Sequence, residues 1–101
     1  MNKEPSNITI LGCTGSIGET TFGVMETLGV DRFQVIGLSA GQQLDKLISQ
    51  ALRWRPKFVS VAEEKDVAYV RGALTENTKV ISGENGLREI AAQNETDIVV
   101  N

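Results

Sequence analysis

Short apolar runs alternate along the chain with segments whose apolar residues recur every three or four positions, and this alternation restricts the possible folds most strongly. Alternating or continuous apolar runs indicate strands, whereas a spacing of three or four indicates one face of a helix. Strands are predicted at residues 8–11, 33–38, 58–61, 79–81 and 98–100, with a helix in each interval. This order predicts an α/β domain: a doubly wound sheet of five parallel strands, with helices on both faces and right-handed crossovers.

The first two helical segments also predict which side chains meet the sheet. On the first helix, the spacing selects Ile17, Thr21, Val24, Met25 and Leu28, and Gly29 ends the helix. On the second helix, it selects Leu44, Leu47, Ile48, Ala51 and Leu52. The second helix ends before Pro56, because the residue preceding a proline is pushed out of helical geometry. We expect the residues from Leu44 to Ala51 in this stripe to pack against the sheet.

A glycine-rich turn, Gly12-Cys13-Thr14-Gly15-Ser16-Ile17-Gly18, joins the first strand to the first helix. This is the context that a dinucleotide-binding fingerprint requires. The first glycine permits a tight turn, the second lets the backbone approach a pyrophosphate, and the third lets helix and strand pack closely. Backbone amides at the helix start, the positive end of the helix dipole and the hydroxyls of Thr14 and Ser16 would meet the phosphates. The turn therefore predicts a Rossmann-type domain, although its G-x-x-G-x-x-G spacing is less specific than G-x-G-x-x-G.

The same turn allows three other interpretations. A phosphate-binding P-loop would need a lysine after Gly18, where the chain has Glu19, and a glycine in place of Cys13. A nucleophilic Cys13 would need a base, and the chain contains no histidine to activate it, so we expect a small turn residue. A tight strand-to-helix turn without any ligand stays open.

The end of the second strand bears on the choice between NAD and NADP. An NAD site usually carries an acid roughly 20 residues after the fingerprint, where it binds the ribose hydroxyls. Residues 38–43 read Leu-Ser-Ala-Gly-Gln-Gln, and the first carboxylate after them is Asp45. The lack of an acid permits NADP, whose 2′-phosphate would contact Ser39, the backbone amides of residues 41–43 and the side chains of Gln42 and Gln43. The alternative is a polar loop that caps the next helix.

Length and composition narrow the classes of function. The 101 residues, 41% hydrophobic and 23% charged, suit a single domain with its own core. A net charge of −3 argues against nucleic-acid binding, and no apolar run approaches the roughly 18 residues of a membrane span. One cysteine excludes an internal disulfide and suits a reducing compartment, so a cytoplasmic protein is expected. Glu63, Glu64 and Asp66 could bind a metal, but acids in the first turn of a helix are stabilised by its dipole alone.

The glycine-rich turn and the strands around it resemble the N-terminal end of the 1-deoxy-D-xylulose 5-phosphate reductoisomerase family. The family opens with the form L-G-S-T-G-S-I-G-x-x-T, which this chain follows except at Cys13, where serine is usual. The second strand running into Gly41, residues 55–59, the Ser82-Gly83 turn and residues 97–101 also fit the family. The resemblance covers essentially the whole chain, but only the cofactor-binding third or so of such an enzyme.

The resemblance implies an NADPH-dependent oxidoreductase that isomerises and reduces 1-deoxy-D-xylulose 5-phosphate to 2-C-methyl-D-erythritol 4-phosphate in isoprenoid biosynthesis. Its pyrophosphate site corresponds here to Thr14, Gly15, Ser16 and Ile17, and its 2′-phosphate site to Gly41, Gln42 and Gln43. Some members carry lysine and asparagine in the places of the two glutamines. The resemblance also implies a divalent metal, Mn²⁺ or Mg²⁺, and a homodimer of the full-length enzyme.

The chain stops directly after the fifth strand, where a functional loop is expected in such sheets. Residues 1–101 are therefore expected to be the NADPH-binding domain at the front of a longer enzyme. The metal ligands, the catalytic residues and the substrate site would then lie beyond Asn101, and the segment alone would be inactive.

Two alternative functions stay open. A semialdehyde dehydrogenase or a nucleotide-sugar epimerase can use the same glycine spacing, although the Tyr-x-x-x-Lys pair of an epimerase is absent at Tyr69, which Ala73 follows at i+4. A free-standing dinucleotide-sensing module without chemistry would need a chain that ends at Asn101. The intact mass of the natural gene product separates a sensing module from an enzyme, because the enzyme requires a second domain.

Overall fold

Strands and helices alternate along the whole described chain. The computed structural model describes residues 4–93 and 95–101. Its strands are β1 (Ser6–Ile10), β2 (Phe33–Ala40), β3 (Phe58–Val61), β4 (Lys79–Ser82) and β5 (Ile98–Val100). Its helices are α1 (Ser16–Leu28), α2 (Leu44–Trp54), α3 (Val67–Ala73) and α4 (Gly83–Ala91), with 3-10 turns at Val30–Arg32 and Glu64–Asp66. The predicted order of elements is confirmed.

All five strands lie in one parallel sheet in the order β4-β3-β2-β1-β5. The chain adds β2, β3 and β4 on one side of β1, and α4 then carries it back to the opposite side, where β5 pairs with β1. Ligands of such sheets bind outside the carboxyl ends of the strands, at the point where the strand order reverses. In this sheet, that point is the end of β1.

The sheet is covered on both faces. The main apolar core combines strand residues with Phe22 and Met25 of α1, Leu47 and Ala51 of α2, and Val70 of α3. Helix α4 covers the other face, where Ile90 is fully buried and its Cγ2 would lie only 2.3 Å from a Cβ at Gly37. The expectation of a doubly wound, Rossmann-type sheet is therefore confirmed.

The orientation of α1 differs from the sequence-based expectation. Ile17, Val24 and Leu28 are 60%, 50% and 50% exposed, whereas Phe22 and Met25 are buried. Gly18 also lies on the buried face of α1. The ring of Phe22 stacks on Trp54 of α2 with the centroids 5.5 Å apart, so α1 is rotated toward its neighbouring helix. The apolar spacing located the helix and one of its buried residues, Met25, correctly, but it omitted Gly18 and Phe22 from the buried face.

The second amphipathic stripe packs as expected. Leu47 and Ala51 are buried, and Leu44 and Ile48 are partly buried against the same core, while Leu52 is half-exposed. Within the part of the chain that the structure describes, no helix has the length and apolar character needed to cross a membrane.

Helix α1 approaches the turn after β1 so closely that one position excludes any side chain. A Cβ at Gly18 would lie 2.2 Å from the carbonyl oxygen of Cys13 and 2.5 Å from its carbonyl carbon. Both of these atoms belong to the backbone, so relief would require the turn or the helix to move. The third glycine of the turn thus has the packing role that its position predicts.

We therefore expect opposite effects from the same substitution at two positions of α1. Gly18→Ala should lower the free energy of unfolding by about 1–3 kcal/mol, because the methyl group overpacks the turn. Gly23→Ala should raise it by about 0.5–1 kcal/mol, because alanine favours the helix and a Cβ there meets no described atom within 4 Å outside its chain neighbours and the backbone of its own helix. Urea denaturation of both variants measures the two effects, and equal effects would contradict the close contact at Gly18.

Candidate functional site

A cleft of about 720 Å³ opens at the carboxyl ends of β1, β2 and β3 and at the start of α4. This volume lies within the range typical of small-molecule sites. The turn after β1 supplies Gly12, Gly15, Ser16 and Ile17 to its lining. The other strands and α4 supply Ser39, Ala40, Gly41, Ser60, Val61, Ala62, Gly83, Glu84 and Leu87, and Leu11 and Asn101 complete it.

Hydrogen bonds from the turn to β2 fix its conformation. The amide of Gly12 donates to Ser39 Oγ at 3.1 Å, and the amide of Cys13 donates to the Ser39 carbonyl at 2.8 Å. The amide of Gly15 then donates to the Gly12 carbonyl at 3.2 Å. Gly12 has φ +66°, which is the left-handed conformation that glycine adopts most easily. The first glycine therefore makes the tight turn that its position predicts.

The start of α1 faces the cleft with free hydrogen-bonding capacity. Gly15 is the N-cap residue, and no side chain in the described ranges 4–93 and 95–101 caps the helix. The first amides of a helix have no partner within the helix and lie at the positive end of its dipole. Among the described residues, and apart from its two neighbours in the chain, a Cβ at Gly15 would meet only the Gly12 carbonyl oxygen within 4 Å, at 3.5 Å. The space over Gly15 is therefore open, as a closely approaching anion requires.

Side chains of helix α2 also hold the turn. Lys46 Nζ donates to the Thr14 carbonyl at 2.8 Å, and Gln50 Nε2 donates to the Cys13 carbonyl at 2.9 Å. Lys46 also forms an ion pair with Glu19 of α1. The sequence analysis assigned no role to Lys46 or Gln50, because their contacts depend on how α2 packs beside α1.

The structure brings only part of the expected site together. Gly15, Ser16, Ile17 and Gly41 line the cleft. Thr14 is only 7% exposed and does not line it. Gln42 and Gln43 also lie outside the lining, as exposed residues directly after Gly41. Gln43 has φ +55° at the N-cap of α2, a conformation that asparagine and glycine adopt more easily.

Ser39, expected near a 2′-phosphate, has a different contact in the structure. The residue is almost fully buried, and its hydroxyl oxygen accepts the hydrogen bond from Gly12. Ser39 therefore lines the cleft and also stabilises the turn through this hydrogen bond. A test of cofactor choice is better placed at exposed Gln42.

Cys13 has the environment of a packing residue. Its side chain is fully buried, and burial raises the pKa of the thiol to about 12, against the lowering effects of a backbone hydrogen bond and the charge of Lys46. The thiol therefore stays protonated at neutral pH and is a poor nucleophile. This environment favours the interpretation of Cys13 as a small turn residue.

Several residues of the cleft were not predicted as site residues from the sequence: Ser60, Val61, Ala62, Gly83, Glu84 and Leu87. The first three lie at the end of β3, and the other three lie in the first turns of α4, directly after β4. The carboxyl ends of parallel strands meet at one edge of the sheet. The predicted ends of β3 and β4 were the signal that could have identified them. Among the residues that the structure describes, no three metal-ligating side chains cluster, and Glu63 instead pairs with Lys65 at 3.3 Å.

Comparisons with known proteins agree on one family. The family model described as 1-deoxy-D-xylulose 5-phosphate reductoisomerase matches residues 8–101. The chain is 39% identical over 95 residues to the 1-deoxy-D-xylulose 5-phosphate reductoisomerase of Bacillus cereus (strain Q1). This alignment covers 94% of this chain and 24% of that protein. It is 38% identical over 96 residues to that of Proteus mirabilis (strain HI4320), covering 92% of this chain and 24% of that protein.

Solved structures give the same result. The reductoisomerase from Zymomonas mobilis in complex with NADPH superposes with a TM-score of 0.82 at 32% identity, over 90% of this chain and 24% of that one. A DOX-P reductoisomerase in complex with NADPH, fosmidomycin and magnesium gives a TM-score of 0.85 at 29% identity, and the superposition covers 93% of this chain and 23% of that one.

The present chain spans about a quarter of the length of the curated relatives that it matches. The family model nevertheless covers all five strands except the first two residues of β1. The glycine-rich turn and the cleft beside it lie wholly within the matched residues. The sequence and the fold therefore place this chain in the 1-deoxy-D-xylulose 5-phosphate reductoisomerase family.

Proposed function

We propose that this chain is the NADPH-binding domain at the front of a longer 1-deoxy-D-xylulose 5-phosphate reductoisomerase. The observation that carries the proposal is the open space over Gly15, at the start of α1 and at the point where the strand order reverses. The family match favours this function over the dehydrogenase, epimerase and sensing-module alternatives. Solved relatives in complex with NADPH support the choice of cofactor.

The pyrophosphate of NADPH would lie over the turn, at Thr14, Gly15, Ser16 and Ile17. Gly15, Ser16 and Ile17 line the cleft, so their backbone can reach a ligand there. Ser16 can add its hydroxyl, because it is exposed at the first position of α1. Thr14 is buried, so its contribution would come from the backbone. The amides and the helix dipole would then stabilise the negative charge.

The 2′-phosphate of NADPH would lie beside Gly41, Gln42 and Gln43. Gly41 lines the cleft, and a Cβ on it would meet no atom of the described residues within 4 Å apart from its two chain neighbours. Backbone amides and the two glutamine side chains would donate hydrogen bonds there, in the place where an NAD site has an acid. One or two net hydrogen bonds to the charged phosphate, together about 1.5–4 kcal/mol, would favour NADPH over NADH by roughly ten- to a thousandfold.

The whole enzyme would isomerise and reduce 1-deoxy-D-xylulose 5-phosphate to 2-C-methyl-D-erythritol 4-phosphate in isoprenoid biosynthesis. Bound NADPH would supply the hydride, and the residues of this chain would bind and orient it. The described residues do not supply a set of ligands for Mn²⁺ or Mg²⁺, so we place these ligands outside them. We also propose that the whole protein binds a divalent metal, is cytoplasmic and forms a homodimer.

Gly15→Val should abolish NADPH binding and leave the fold intact. The side chain would fill the space meant for the pyrophosphate, while the extended backbone of Gly15 (φ −83°, ψ −178°) suits a β-branched residue. We expect affinity to fall at least about a hundredfold, since two charge-assisted hydrogen bonds would be lost. Titration and circular dichroism of the same sample, with Gly23→Ala as the control, measure this. Retained affinity would mean that the turn is only structural.

A charge at Gln42 should shift the choice between NADPH and NADH. Gln42→Lys should raise the NADPH preference about three- to tenfold, and Gln42→Glu should lower it by a similar factor, through attraction or repulsion of the 2′-phosphate. The measurement is the ratio of the two dissociation constants. The controls are Gln34→Lys and Gln34→Glu, at an exposed position near the opposite end of β2. An unchanged ratio at Gln42 would contradict its place beside the 2′-phosphate.

The 101-residue chain by itself should show no reductoisomerase activity. Hydride transfer requires the substrate to be held against the nicotinamide, and we place the groups that hold it in the rest of the enzyme. The assay follows NADPH oxidation in the presence of 1-deoxy-D-xylulose 5-phosphate and a divalent metal. Turnover that depends on the sugar phosphate would refute the division into domains.

A further inference from the structure

Helix α2 places two side-chain donors, Lys46 and Gln50, one helical turn apart against the back of the glycine-rich turn. Lys46 donates to the Thr14 carbonyl at 2.8 Å, and Gln50 donates to the Cys13 carbonyl at 2.9 Å. Both hydrogen bonds are partly buried, and neither residue lines the cleft. Any effect of these residues on a ligand is therefore indirect.

Fixing the two carbonyls fixes the peptide units that lead into α1. A trans peptide unit is planar, and its carbonyl and the following amide point in opposite directions. The hydrogen bonds to the Cys13 and Thr14 carbonyls thus set how the peptide planes before Gly15 are oriented. Ser39 holds the other side of the same turn through the amides of Gly12 and Cys13.

The carboxylate of Glu19 places a negative charge in the first turn of α1, close to the glycine-rich turn. There it interacts with the helix dipole and would repel an approaching anion. Lys46 forms an ion pair with this carboxylate, and the two side chains are 33% and 54% exposed. A single cation therefore both holds a carbonyl of the turn and neutralises the acid in the first turn of α1.

We propose that Lys46, assisted by Gln50, is a positioning residue for dinucleotide binding: it orients the phosphate-binding turn and neutralises Glu19. The inference rests on the proposed function, because the anion concerned is the pyrophosphate of NADPH. Because Lys46 does not line the cleft, it would act through Thr14 and Glu19.

The decisive test combines substitutions at Lys46 and Glu19 in the protein at its natural length. Lys46→Met should weaken NADPH binding roughly five- to thirtyfold, and Lys46→Arg should stay within about threefold of the original protein. Glu19→Gln in the Lys46→Met background should recover part of the loss, because the repelling charge has been removed while the hydrogen bond to the Thr14 carbonyl stays absent. Isothermal titration calorimetry measures the four dissociation constants. Unchanged affinity in Lys46→Met, or the absence of any recovery, would overturn the proposal.

A second lysine–glutamate pair provides a matched control. Lys57 Nζ lies 2.9 Å from Glu95 Oε2, and Lys57 directly precedes β3 at the amino end of the sheet. Lys57→Met removes the same charge and the same kind of ion pair far from the turn. Its NADPH affinity should equal that of the original protein. A loss as large as that of Lys46→Met would mean that net charge alone governs binding and would contradict a specific role for Lys46.

Hydrogen exchange separates failure of this inference from failure of the proposed function. In the ligand-free protein, Lys46→Met and Gln50→Leu should each speed amide exchange severalfold in residues 12–19, whereas Lys57→Met should not. If the original protein does not bind NADPH, the proposed function fails and the exchange result still decides whether Lys46 orients the turn. Unchanged exchange in Lys46→Met would overturn that role whether or not NADPH binds.

Discussion

The close contact between the start of α1 and the turn after β1 is the constraint on which the rest of the site depends. Gly18 lies against the Cys13 carbonyl with no room for a side chain, and Ser39 accepts hydrogen bonds from the two amides that precede this contact. A helix held so near a strand end must present its first amides at the carboxyl edge of the sheet. The same contact buries Cys13, so its thiol packs in the core and stays protonated.

The packing of α4 against the sheet also determines the shape of the carboxyl edge. Gly37 leaves room for Ile90, so α4 can lie close to the face of β2, and Gly86 approaches Ser60 of β3 in a similar way. The close approach brings Glu84 and Leu87 of α4 to the cleft, across from the start of α1. Small residues on the strands and on α4 thus determine how closely the helix packs on the sheet, and the shape of the cleft follows from that distance.

The order of elements and the location of the turn could be predicted from the sequence, because both depend on local patterns. Apolar spacing identified all five strands and all four helices, and glycine spacing identified the strand-to-helix turn. The buried face of α1 was predicted only in part, since its rotation depends on the stacking of Phe22 on Trp54, a contact between two helices. The burial of Thr14 and the contact of Ser39 with the turn likewise depend on neighbours that are distant in sequence.

The sequence by itself determined a doubly wound α/β domain with a glycine turn suited to phosphate, because strand and helix periodicity and the conformational freedom of glycine are properties of short segments. The tertiary structure alone decided which residues reach the cleft and which support it. Lys46 and Gln50 follow the turn by some thirty residues in the chain and contact it only because α2 packs beside α1. Side-chain contacts between elements depend on the angle and rotation of packed helices, and no local pattern encodes these quantities.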